Sequence, residues 1–395
     1  MTTTEFSSQE MPDHARGIPS KNKADSSRFY RPELDVLRFF AFLMVFFSHA
    51  WPNSGSSALA EDGIPFSLAS GFFGSGAVGV FVFFMLSSYL ITELLLRERT
   101  NTGTIHIKAY YVRRALRIWP LYFFFIAFCF LIRPLTPDYP FPGRQLVSML
   151  LLSGNWYFSH RGWWGQSFTS HLWSISVEEQ FYLVWPLVLK YGGRARLWLA
   201  CAGLMFVSYL SLSYLGKQGE SANPTIFVNS FVLCIFFALG GLAALWTHGR
   251  ASTLKLPFRA VLLTLGICLI AVSTMVFRIH EQNVVPLNDL LAGYTLTGVG
   301  CLAIFFSFLG VSLPRWSGFL IYLGKISYGL YVYHLICIAL AWWIKEHVLH
   351  RAHWRWSFPF TLLLTCVCAS LSYRFIESPF LRFKEKFVFV QSRRV

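Results

Sequence analysis

The sequence predicts an all-α fold, a polytopic membrane helical bundle of about ten transmembrane helices plus a short partial or re-entrant segment. Three observations predict it. Hydrophobic residues make up 55% of the 395-residue chain and charged residues 13%, half the soluble average of about 25%. The apolar residues fall in runs long enough to cross a ~30 Å hydrocarbon core. The lysines and arginines behind the +15 formal charge lie mostly between those runs, so topology and anionic lipid headgroups explain them without a nucleic-acid partner.

In chain order, residues 1–29 are polar and lack an apolar run, which reads as a disordered cytoplasmic tail and not a signal peptide. Residues 30–380 form the membrane domain, and 381–395 a basic cytoplasmic tail with Arg382, Lys384, Lys386, Arg393 and Arg394. The first span begins near Leu34 and ends at Trp51; a loop over 52–75 follows, holding Glu61 and Asp62 but no Lys or Arg. The second span is about 77–96, and the basic stretch 97–117 precedes a third at about 118–132. Pro120 opens that third span, where a helix tolerates it. Residues 145–157 are apolar but short for a span, and 175–190 is a span carrying Glu178 and Glu179. Further spans are expected at about 197–215, 226–247, 260–277, 290–311, 319–344 and 357–377.

The positive-inside rule arbitrates the short segment. A full crossing at 145–157 would put Lys190, Arg194, Arg196 and the basic tail outside. Entering and returning puts them inside, together with Arg250, Lys255, Arg259, Arg315 and Lys325. Ten full spans and two cytoplasmic termini in the inner membrane therefore satisfy more loops. The loop 345–355, outside in this scheme with Lys345, Arg351 and Arg355, fits less well. All eight cysteines lie in apolar stretches without metal-ligand or Cys-x-x-Cys spacing, so they read as packing groups; no metal is expected.

Chemistry-bearing residues fall into five stretches. In the first span, Arg38 and His49 are eleven positions apart, nearly the same helix face three turns on and a rise of roughly 16 Å. An imidazole at that depth needs protein or water around it, the functional reading; the plain alternative is a helix-end histidine touching headgroups. Arg114 and Arg117 are neighbours on one helical face, suited to clamping phosphates with forked hydrogen bonds or, equally, to anchoring topology. The stretch His171-Leu-Trp173-Ser-Ile-Ser-Val-Glu178-Glu179-Gln180-Phe-Tyr182 puts two carboxylates at a span's start. Adjacent helical residues point about 100° apart, so one glutamate faces a site and the other is expected to pair with an arginine. The alternative is an interfacial helix start that favours acidic groups. The stretch Gly324 to His334 carries Tyr331 and His334 on a polar stripe, with His334 either facing the cavity of His49 or satisfied in the core. Arg374 and Glu377, three apart, read as a structural pair.

Taken together and in this order, these stretches resemble the acyltransferase family 3 of integral membrane O-acyltransferases, over roughly residues 30–385. The match rests on Arg38 to His49, Gly79-Val80 through Phe83-Phe84 to Ser87, Arg114-x-x-Arg117, Trp173 to Tyr182, Ile326-Ser-Tyr to His334, and Arg374-Phe-Ile-Glu377-Ser-Pro379. Ser88 and Val36 stand where the family usually has glycine. The resemblance implies transfer of an acyl group, usually acetyl from cytoplasmic acetyl-CoA, onto a hydroxyl of a glycan, lipid-linked saccharide or other acceptor outside. It implies that His49 is the catalytic imidazole with Arg38 as its partner, that Arg114 and Arg117 hold the CoA phosphates, and that Glu178 or Glu179 assists at the acceptor side. Some members carry a soluble domain after the last span; none is expected here.

The chemistry suits these groups. A sugar hydroxyl is a poor nucleophile at neutral pH, and an imidazole in a water-poor cavity either takes its proton or carries the acyl group transiently. Arg38, Ser87 or Tyr182 would supply the oxyanion donor. The rival reading is a transporter or flippase of a lipid-linked sugar, which intramembrane charge suits as well. Transporters often show repeated halves, whereas here the polar groups crowd into the N-terminal half.

Overall fold

The computed structural model describes residues 29–51, 75–161, 167–218, 224–250, 254–279, 285–348 and 357–390, and among them helix is the only regular structure. The expected tail at 1–29 therefore lies outside the described residues except for Phe29, as do the loop at 52–74 and Arg351 and Arg355.

In order, the helices are α1 Pro32–Ala50, α2 Gly79–Thr102, α3 Ile107–Ile132, α4 Gly143–Leu150, α5 Gly154–Arg161, α6 Trp173–Tyr191, α7 Arg194–Lys217, α8 Pro224–Val228, α9 Cys234–Thr247, α10 Leu256–Met275, α11 Leu287–Phe308, α12 Gly318–Lys325, α13 Ser327–His347, α14 Ser357–Ser372 and α15 Ser378–Lys384. Seven helical stretches, built on α2, α3, α7, α10, α11, α13 and α14, are long and apolar enough to cross a membrane. This is an integral membrane protein by that measure. The helices α1, with Glu33, Asp35 and Arg38, and α6, with Glu178, Glu179 and Lys190, carry more charge, and α9 is short.

α2 is the central post. In its apolar window 78% of residues are buried, against 17% in α7 and 22% in α10, so α2 is enclosed by protein while α7 and α10 turn apolar faces such as Leu199, Phe206 and Val261 outward. In a bilayer that outward surface meets acyl chains at no hydrophobic cost. Two close crossings hold α2 and α1 in place. A Cβ on Gly240 of α9 would sit 2.2 Å from the Met85 carbonyl oxygen of α2, and one on Gly324 of α12 would sit 1.9 Å from the Asp35 carbonyl oxygen of α1. Only glycine fits either place. At the first crossing Ser88 donates to the Phe237 carbonyl at 2.6 Å, which joins α2 to α9.

Several boundaries differ from expectation. The helix α3 begins at Ile107, which makes Arg113, Arg114 and Arg117 helical and puts Pro120 in its interior. Pro120 removes one ladder hydrogen bond, and the apolar packing of Leu121, Tyr122 and Phe125 carries the helix through. The expected span at 319–344 is split at Ile326, where α12 turns into α13 after crossing α1 through Gly324. The span expected at 226–247 is broken over 229–233, where the Asn229 side chain accepts from the amides of Phe231 and Val232. Residues 145–157 fall into α4 and α5, each eight residues long, or roughly 12 Å of helix. The turn between them contains Leu152 at φ 53°. Neither helix reaches across a bilayer core. The geometry around Arg374 and Glu377 also differs from expectation. A π-helical turn runs over Tyr373–Glu377, which removes the one-face relation of residues three apart, leaving Arg374 exposed and Glu377 buried. After α15 the chain continues as a strap on the ends of α2 and α3. Arg113 donates to the Phe387 carbonyl at 2.7 Å, and Phe389 stacks on His106 at 4.0 Å.

Candidate active site

Five helices enclose a cavity of about 1210 Å³, counting its open mouth. α1 contributes Asp35 and Arg38, α2 Ser87, α3 Arg114 and Arg117, α6 Ser174, Glu178 and Tyr182, and α13 Tyr328 and Tyr331. Four guanidiniums, those of Arg31, Arg38, Arg114 and Arg117, with two carboxylates and a set of phenols thus face one space inside a largely apolar bundle. Polar groups at this depth are expensive unless they bind something.

The cavity's polar groups are held by one another. Ser87 donates to Oε1 of Glu178 at 2.8 Å and Tyr182 donates to Oε2 at 3.0 Å. Both carboxylate oxygens are thereby fixed in place. Arg38 contacts Asp35 at 3.3 Å, and Tyr30 donates to the other Asp35 oxygen at 3.0 Å. The Arg114 guanidinium lies over the rings of Tyr182 at 5.2 Å and Tyr110 at 5.7 Å. Such stacking orients a planar cation without consuming its donors. Arg114 and Arg117 also line a second cavity of about 570 Å³, with Arg113, Lys384 and Phe389, under the strap. Arg114 and Arg117 therefore border both cavities. Arg113 is already engaged with Glu98 at 2.8 Å.

Tyr331 of α13 lines the cavity. Its hydroxyl donates to the His171 carbonyl at 2.8 Å and accepts from Ser174 at 2.7 Å. Behind it, His334 Nδ1 bonds the Tyr331 carbonyl at 2.6 Å and His334 Nε2 meets His49 Nδ1 at 3.0 Å. His334 is fully buried, while His49 is exposed at the end of α1. His171 packs its ring 4.8 Å from that of His334, and both its ring nitrogens are buried without a hydrogen-bond partner.

Arg38, Arg114, Arg117, Ser87, Glu178, Tyr182 and Tyr331 thus share one cavity. His49 does not line it. It sits one layer further along, joined to it through His334 and Tyr331. The partner of Arg38 seen here is Asp35, with His49 three helical turns away. Glu179 turns from the cavity. Its partner is the Trp119 indole at 3.1 Å and not an arginine, since α6 points its adjacent carboxylates in different directions. Gln180 is a structural clamp: it donates to Leu152 and Asn155 and accepts from Ser230, tying α6 to the turn after α4. Trp173 does not line the cavity; its ring lies edge-on to Phe84 and Phe227. Sequence reasoning passed over Asp35, three residues before Arg38 in the same stretch, and His171, which opens the Trp173 stretch with no local pattern to single it out. Among the described residues no group of three or more His, Cys, Asp or Glu is placed to hold a metal ion.

A bundle that is helical throughout its described residues, with seven stretches long and apolar enough to cross a membrane and a cavity lined by arginines, defines an integral membrane protein. The chain belongs to acyltransferase family 3, whose acyltransferase domain matches residues 31–374. It is 30% identical over 373 residues to a putative peptidoglycan O-acetyltransferase, YrhL, of Bacillus subtilis, covering 89% of this chain and 55% of that protein. It is 27% identical over 378 residues to the peptidoglycan O-acetyltransferase OatA of Listeria monocytogenes, covering 89% of this chain and 56% of the relative. A putative O-acetyltransferase of Staphylococcus aureus is 25% identical over 370 residues, again 89% of this chain and 57% of the other. The chain spans about half the length of these curated relatives. No solved structure matches it.

Proposed function

We propose that this protein is a membrane-embedded O-acyltransferase of the inner membrane. It moves an acyl group, acetyl in the first instance, from cytoplasmic acyl-CoA to a hydroxyl of a glycan, free or lipid-linked, on the far side. The observation that carries this reading is the shared cavity of Arg38, Arg114, Arg117, Glu178 and Tyr182, with the His49–His334 pair joined to its lining residue Tyr331. Family membership and the O-acetyltransferase names of its relatives support the same class of chemistry.

In this scheme the phosphates of CoA lie at Arg114 and Arg117, and the pantetheine arm runs inward along the cavity toward Tyr331. The acceptor approaches His49 from the exposed end of α1. His49 removes the hydroxyl proton, and the oxygen attacks the thioester carbonyl carbon. Arg38, held by Asp35, and Glu178, held by Ser87 and Tyr182, set the charge and shape of the cavity. Ten membrane crossings, with α4 and α5 as a partial segment and both termini cytoplasmic, keep Arg114 and Arg117 on the donor's side.

The test is release of free CoA by purified, reconstituted protein given acetyl-CoA and a hydroxylated glycan acceptor. Acceptor-dependent CoA release with ester formation is the expected result. Movement of a lipid-linked sugar across the bilayer with no thiol released would replace the enzyme reading by that of a carrier.

A further inference from the structure

The two hydrogen bonds of His334 settle a proton position. Its Nδ1 is 2.6 Å from the carbonyl oxygen of Tyr331, and a carbonyl oxygen only accepts, so Nδ1 carries a proton. The His334 ring is fully buried, edge-on to Phe42, and no carboxylate among the described residues bonds to it or to His49. A buried imidazolium without a counter-charge is costly, so His334 is neutral and its Nε2 is a bare lone pair. Nδ1 of His49, 3.0 Å from that lone pair, must then be the donor. The remaining nitrogen of His49, Nε2, is left unprotonated.

We propose that His334 is a positioning residue for the acyl transfer: anchored on the Tyr331 backbone, it fixes His49 in the tautomer whose Nε2 is free to accept the acceptor's proton. The inference rests on the reading of His49 as the base. As the acceptor oxygen bonds to the thioester carbon, its proton moves to His49 Nε2. When the carbon–sulfur bond breaks, that proton passes from Nε2 to the departing thiolate, CoA leaves as the thiol, and His49 regains its starting tautomer. His334 neither gains nor loses a proton. While His49 is cationic, the bond from its Nδ1–H to His334 becomes charge-assisted and roughly doubles in strength, so it favours the transition state over the ground state. The Tyr331 backbone also joins the two halves of the site, because the same residue lines the donor cavity.

The experiment compares His334→Leu, which removes the acceptor atom, with His334→Gln, whose amide oxygen presents an acceptor toward His49 Nδ1. Steady-state kinetics and ¹⁵N shifts of the histidine side chains are measured on purified protein in detergent. His334→Leu is expected to lower kcat by about 10- to 100-fold with both KM values within about twofold, and to mix the His49 tautomers, while His334→Gln stays within about fivefold of wild type. A purely structural role would instead favour the apolar substitution over the polar one. Wild-type kcat in His334→Leu, with His49→Ala inactive, overturns the positioning role and leaves the base reading standing. Activity in His49→Ala overturns the base reading itself. If His334→Leu does not fold, His334→Gln decides: kcat within about fivefold supports the role, and a larger loss overturns it.

Discussion

Replacing Arg114 by alanine isolates donor binding. Its guanidinium is stacked over Tyr182 and Tyr110 and faces both the main cavity and the one beneath the strap. It is therefore oriented before any ligand arrives, and a phosphate there gains charge-assisted bonds at little entropic cost. A hydrogen bond to a charged partner contributes about 1.5–3 kcal/mol, which converts to roughly a 10- to 150-fold rise in the donor KM. The tyrosine rings remain, so the acceptor KM and kcat should move by less than about threefold. The assay is thiol release at saturating acceptor with acyl-CoA varied, in detergent or proteoliposomes. Arg99 is the control. It donates to the carbonyls of Leu189 and Gly192 and lines neither cavity, so Arg99→Ala should leave the donor KM unchanged. Equal donor KM values for wild type and Arg114→Ala would refute the reasoning and reduce Arg114 to a topological anchor.

Further outcomes follow from the same geometry. Glu178→Gln should lower kcat at least about tenfold because Ser87 and Tyr182 both donate to that carboxylate, whereas Glu179→Gln, whose carboxylate accepts from the Trp119 indole and does not line the cavity, should stay within about threefold; kinetics on the pair checks it. Gly324→Ala should prevent recovery of monodisperse protein by size exclusion, because its Cβ would fall 1.9 Å from the Asp35 carbonyl oxygen in the backbone of α1. Ser88→Gly removes the bond to the Phe237 carbonyl and adds chain freedom, a loss of about 1–2 kcal/mol read as a lower Tm in detergent.

Much of this arrangement was legible in the sequence because membrane segments announce themselves. The Arg38–His49 spacing, the Arg114–Arg117 pair and the carboxylates at 178 and 179 stand out against apolar surroundings, and the structure puts three of those side chains with Arg38 around one cavity. What was not legible depends on backbone approaches and on facing across helices. Hydropathy averages over residues 319–344 and is blind to the crossing at Gly324 that breaks the span. Charge suggested a loop up to 117, but long basic side chains sit comfortably on helix ends, so α3 starts at Ile107. Nothing near His171 signals that its ring lies beside His334, because that contact joins residues far apart in the chain. The spacing of Arg374 and Glu377 puts them on one face only of a regular α-helix, and the π-helical turn over Tyr373–Glu377 changes that relation.

The most direct measurement of the central claim is acyl transfer by His49→Ala, purified, shown to be folded by its elution profile and thermal transition, and assayed with acetyl-CoA and a glycan acceptor. The proposed chemistry predicts loss of ester formation, with acetyl-CoA still bound at near wild-type affinity because the arginines are untouched. Wild-type ester formation in that variant would contradict it.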